Sequence, residues 1–201
     1  MKQKVDKRKP GLIDGLYVIT LVYFGLGFVS IYTALSALVC MSLPFLLIWR
    51  HQEKRWCHHY CPRASLTSLT GRSKATWKHA PKSWRDGSAK RFMLWYFSLN
   101  LLFIAGSTIQ VGLGAMAPMP YIRLFIAIPL WPIWQLFEPV GPQWLVHLSY
   151  RFYSMMLSST LLGIIFSRLW RPRSWCAVCP VGTISNKMTP PPKEMKTRGP
   201  T

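Results

Sequence analysis

The chain has 201 residues, half of them hydrophobic, with 25 Lys/Arg against 6 Asp/Glu and a formal net charge of +19. Its basic residues come in blocks separated by runs with almost no charge, a pattern that suggests a polytopic membrane protein. Apolar runs of about twenty residues argue against a nucleic-acid module, which carries its basic residues on amphipathic elements. Too few carboxylates, no Gly-rich phosphate loop and no His-Asp-Ser set argue against a hydrolase.

The opening MKQKVDKRKP leads into an apolar run over residues 12–49. That run is too long for a signal-peptide core and has no small-residue cleavage site, so it reads as an uncleaved first membrane helix and its successor. As one helix it would span about 57 Å, against a hydrocarbon core of about 30 Å. Two helices with a turn near Gly25 to Ser30 are therefore expected. Asp14 falls at the first helix end, where it is interfacial, and Cys40 inside the run is a small packing residue.

Directly beyond lies RWCHHYCP, with Cys57 and Cys61 around His58 and His59. Both histidines read as polar loop residues rather than ligands. A third apolar helix begins near Phe92 and ends before Pro118. The next stretch, PMPYIRLFIAIPLWPIWQLFEPVGPQWLVHL, is apolar but broken by prolines that remove backbone donors. It reads as an interfacial or re-entrant segment rather than a fifth span.

A fourth helix is expected from about Ser149 to Leu169. Arg151 and Arg168 fall near helix ends, where snorkelling needs no special function. No helix interior in this reading holds a histidine, and His147 lies only near a helix, which argues against a membrane haem. The helix exits into SWCAVCP, with Cys176 and Cys179, and a Pro/Lys-rich tail closes the sequence.

The two halves resemble each other. LLIWRHQEKRWC and RLWRPRSWC each close a helix with Trp-Arg and place a second Trp directly before a cysteine, and each cysteine pair ends in Cys-Pro. The fold expected is an all-α integral membrane protein: four transmembrane helices as two helical-hairpin pseudo-repeats, each followed by a cytoplasmic cysteine loop. The first unit is 1–91, the second 92–188, and 189–201 a flexible tail. Lys/Arg number five in residues 1–10, eleven in 50–91 and seven in 168–201, against one in 118–147. By the positive-inside rule both termini and both loops are cytoplasmic.

Cys57, Cys61, Cys176 and Cys179 would then converge on the cytoplasmic surface. Four thiolates suit either tetrahedral zinc or a cubane cluster, and Cys-x3-Cys is less usual for zinc. Paired dithiols could instead exchange with disulfides, and a non-redox metal-binding scaffold or assembly factor is a further alternative. Arg55, Arg63, Arg171 and Arg173 are expected to lower the thiol pKa values.

WCHHYCPRASL and WCAVCPVGTIS are similar to the paired cysteine loops of the NapH/NosR/CcoG-type membrane iron–sulfur proteins. The second loop departs as Cys-x2-Cys, one residue shorter than the usual form, and no ferredoxin-type cysteine run follows it. The resemblance covers the membrane part. It implies a [4Fe–4S] cluster held by Cys57, Cys61, Cys176 and Cys179, in a multi-pass protein of the bacterial inner membrane. Its role would be electron transfer between a quinol or cytoplasmic donor and a redox partner, such as a periplasmic reductase or maturation system. A bound quinone or a partner subunit would supply the second carrier, and no nucleic acid is involved.

Overall fold

The computed structural model describes residues 15–51, 56–71, 84, 87–124, 128–129, 135–137, 140–170 and 172–188. Asp14, Arg55, Arg171 and the 189–201 tail lie outside them, as does the side chain of His58. The chain is mostly helical. Helix α1 covers Tyr17–Val29 and stops at Ser30, which is extended. A 3-10 turn over Ile31–Leu35 leads into α2, Ser36–His51. The break falls at the C-terminal limit of the expected turn, and Thr33 marks it by donating its hydroxyl to the Ser30 carbonyl at 2.8 Å.

After α2 come a π-helical turn, Trp56–Tyr60, and a short helix α3, Pro62–Gly71. The long helix α4 runs Ser88–Gly112 between Gly87 and Gly114, both at positive φ. A two-residue hairpin follows, β1 Arg123–Leu124 antiparallel to β2 Ile128–Pro129. Helix α5, Gln143–Leu169, is the longest, and α6, Ser174–Val178, and α7, Pro180–Met188, end the described chain.

Among the described residues, three helical stretches are long and apolar enough to cross a membrane: Ile31–Arg50, Ser88–Gly112 and Gln143–Leu169. They are compatible with a membrane protein. Helix α1 is apolar, but its 13 residues cover only about 20 Å.

Helix α5 is the axis of the fold. Tyr150, Phe152, Tyr153, Met155 and Met156 are buried on it, with Ile31, Phe97, Ile104 and Trp175 around them. Its hydroxyls satisfy themselves: Ser149, Ser154, Ser158 and Ser167 each donate to the carbonyl four residues back, so small polar side chains can pack in an apolar bundle.

Helix α5 begins at Gln143, a turn and a half earlier than expected, and this corrects two sequence readings. His147 lies inside a helix, and Arg151 is two turns from its start and 5% exposed, so it does not snorkel. The polar residues at 143, 147 and 151 obscured this first part of the apolar pattern.

The proline-broken stretch folds back along α5. The Met119 amide donates to His147 Nδ1 and the Arg123 amide to Ser154 Oγ, both at 3.1 Å. Four residues of this segment therefore advance two turns down α5, almost to its midpoint. Farther on, the amides of Leu136 and Phe137 donate to the Phe28 and Val29 carbonyls at the end of α1. These four amides of the segment are satisfied by the helices it lies against.

A candidate iron–sulfur centre between two cysteine loops

Each cysteine loop is a short local solution to one problem, a sulfur that needs donors. Pro62 opens α3 and Pro180 opens α7. Proline suits a first helical position because its missing N–H has no role there. The preceding cysteine then stands where a capping residue stands. The amides of Arg63 and Ala64 reach the Cys61 sulfur as they would a capping oxygen. At the other loop, the Thr183 amide donates to the Cys179 carbonyl at 2.9 Å and starts α7 in register. The positive ends of two helices thus lie beside sulfur.

The loops come together through two arginines and one tryptophan. Arg173, at positive φ between α5 and α6, donates to the Cys57 carbonyl at 2.8 Å and ties one loop to the other. Its guanidinium also bonds the Cys176 thiol. Arg63 clamps the first loop to α5, donating to Ser159 Oγ at 2.7 Å and to Met156 Sδ at 3.1 Å. Trp175 is 3% exposed and packs on Phe97 and Phe166, which fixes the residue before Cys176.

All four predicted cysteines line one cavity of ≈ 800 Å³ between α1, α2 and the loops. Their thiols interact electrostatically across it: Cys57 with Cys61, Cys176 and Cys179, and Cys61 with both members of the second pair. Among the described residues no three His, Cys, Asp or Glu form a group that could hold a single metal ion. The cavity has room for a cubane, and Trp175 on its wall has a buried indole N–H with no acceptor. Four thiols, an orphaned donor and two helix N-termini fit an anionic thiolate-bound cluster.

Arg63 anchors the Cys61 end of the first loop on Ser159 and Met156 near the middle of α5, while His59 and Tyr60 stay exposed. Two sequence expectations change. The thiol pKa values of Cys57, Cys61 and Cys176 are raised rather than lowered. Burial dominates and pushes Cys57 up to about 12 and Cys176 up to about 11, and it raises Cys61 too. Neighbouring thiols add to the rise, and Arg173 and Arg63 offset only part of it. Cys40 is a wall of the same cavity, and Pro44, one turn on in α2, has no N–H to give its carbonyl.

His59 is exposed and packs edge-on against Tyr60. His147 is fully buried, and its two ring nitrogens meet the Met119 amide and Ser107 Oγ. Arg63 was legible only as one of four loop cations, although its place directly after Cys-Pro puts its amide on the sulfur.

A family described as a 4Fe-4S binding domain matches residues 33–79 and 154–193, segments that contain both cysteine loops. The match supports an iron–sulfur binding family and, with it, a [4Fe–4S] cluster. No curated protein and no solved structure matches the chain.

Proposed function

We propose that the chain is an iron–sulfur electron-transfer protein of the bacterial inner membrane, holding one [4Fe–4S] cluster on Cys57, Cys61, Cys176 and Cys179. The observation that carries this reading is the meeting of both Cys-Pro loops on one cavity, with all four thiols in electrostatic reach of one another. The cluster supplies a one-electron couple. This chain's residues supply four sulfurs, the Arg63 and Ala64 amides on Cys61, and an aromatic wall that limits water. Hydrogen bonds to sulfur and nearby positive charge raise the potential of such a centre.

The pseudo-repeat accounts for the matched loops, each a helix exit, a Trp-Cys step and a Cys-Pro helix start. With the basic blocks cytoplasmic, both loops open towards the cytoplasm, and α1 makes a short fourth crossing. Electrons then enter from a cytoplasmic donor or quinol and leave to a partner reductase or maturation system. The raised thiol pKa values of Cys57 and Cys61 oppose a thiol–disulfide relay at the first pair, since such a relay works through thiolate at neutral pH.

The reading is tested by electron paramagnetic resonance on anaerobically purified protein reduced with dithionite. A signal from a reduced cubane is expected in the wild type, and none in Cys57→Ser, Cys61→Ser, Cys176→Ser or Cys179→Ser. A full signal surviving loss of both cysteines of one loop would overturn it.

A further inference from the structure

Helices α4 and α5 enclose a second, smaller cavity of ≈ 30 Å³ at the midpoint of both, lined by Arg123, Arg151, Asn100, Ser154, Ser158 and Ser159 among others. That volume holds one small ion or about two waters. Two guanidinium groups share its wall, and the described residues include no Asp or Glu: Asp6, Asp14, Glu53, Asp86, Glu138 and Glu194 all fall outside them.

Arg151 is where the shortage is sharpest. Its Nε lies 3.4 Å from His147 Nε2. But His147 Nδ1 accepts from the Met119 amide, so the neutral ring carries its proton on Nε2 and points it at Ser107 Oγ. That nitrogen has no lone pair for Arg151. The guanidinium otherwise faces the Phe103 ring, 4.8 Å from its centroid. Its Nε is thus without an acceptor on His147, and a cation so buried is costly. Arg123 is similar. Its Nη2 bonds the Tyr121 hydroxyl, while its buried Nε has no partner. The serines of the wall give their hydroxyl protons to backbone carbonyls and Asn100 gives one amide proton to the Tyr96 carbonyl, so the donors that remain on the wall are guanidinium and Asn100 amide N–H groups.

We propose that this cavity binds one small monovalent anion of about halide size, held between Arg123 and Arg151. The anion supplies an acceptor for both guanidinium groups. Charge-assisted bonds to guanidinium groups are the strong ones. Arg123 arrives there only because the proline-broken segment descends along α5 to Ser154, so the site needs that path and not the cysteines. Ser159 links the two regions, since it also accepts from Arg63 of the first cysteine loop.

The test is equilibrium binding of radiolabelled chloride to the detergent-purified full chain by scintillation proximity, with bromide as competitor. Saturable binding of one chloride per chain, displaced by bromide, is expected, with affinity falling at least about tenfold in Arg151→Gln and in Arg123→Gln. Should these variants fail to fold, the wild type serves alone: bromide in place of gluconate at equal ionic strength should raise its thermal midpoint by several degrees. No saturable binding and no thermal shift in intact protein would overturn the proposal and leave only water in the cavity. Unchanged affinity in both variants would overturn it too. Binding that appears only in Glu138→Gln would also do so, by showing that the chain's own carboxylate fills the place.

Discussion

Cys57 keeps its proton in the metal-free protein because burial disfavours the thiolate more than Arg173 favours it. With its pKa pushed up to about 12, almost none of this sulfur is ionised at pH 7. Alkylation of Cys57 by iodoacetamide, read by peptide mapping of the metal-free protein, should therefore be slow at pH 7 and accelerate about tenfold per pH unit up to pH 10. Fast alkylation of Cys57 at pH 7 would contradict this. Metal loading must expel the thiol proton, so reconstitution with iron and sulfide should improve as pH rises from 7 to 8.5. Trp175→Phe keeps the aromatic packing and removes the orphaned indole N–H. The expected outcome is a cluster retained at a lower reduction potential, read by redox titration. An unchanged potential would remove Trp175 from the centre.

At the level of elements, the site depends on how α3 lies against α5. The two run side by side: Arg63 meets Ser159, Thr67 meets Gly163, and Gly71 meets Pro172 beyond the end of α5. A Cβ on Gly71 would fall 2.8 Å from Pro172 Cα, a backbone atom that cannot step aside. Gly71→Ala should cost about 1–3 kcal/mol and release iron at a lower temperature than the wild type, followed by absorbance on heating. Tyr153, whose hydroxyl donates to the Phe24 carbonyl at 3.1 Å, joins α5 to α1. Tyr153→Phe should cost about 1 kcal/mol in thermal unfolding without changing the cluster spectrum.

Helix α3 was hidden in the sequence because its residues, PRASLTSLTG, show no apolar period. Its threonines and serines bond back to their own turns, and this lets a polar helix pack inside a bundle. The apolar runs of α2 and α4 and the Cys-Pro steps were legible, because hydrophobic length and proline placement are local properties. The anchoring of the first loop on α5 was not, since it depends on a contact between Arg63 and Ser159, 96 positions apart.

The whole molecule has an apolar exterior around a mixed interior. Trp49, Phe92, Trp95, Leu102 and Leu113 face outwards, while hydroxyls, His147 and Arg151 are buried together with residues such as Phe97, Ile104, Phe152 and Met155. An apolar exterior of this kind suits a lipid surround, and the cysteine cavity has a protein wall. Charge is kept apart from that exterior, with 20 of the 25 Lys/Arg lying outside the three long apolar stretches. The central claim is that both loops serve one metal centre. Its most direct test is the iron and acid-labile sulfide content of protein purified without oxygen, with its visible spectrum. The account predicts about four irons and four sulfides per chain and an absorbance that bleaches on reduction. Zinc, or no metal, in protein shown to be folded would contradict it.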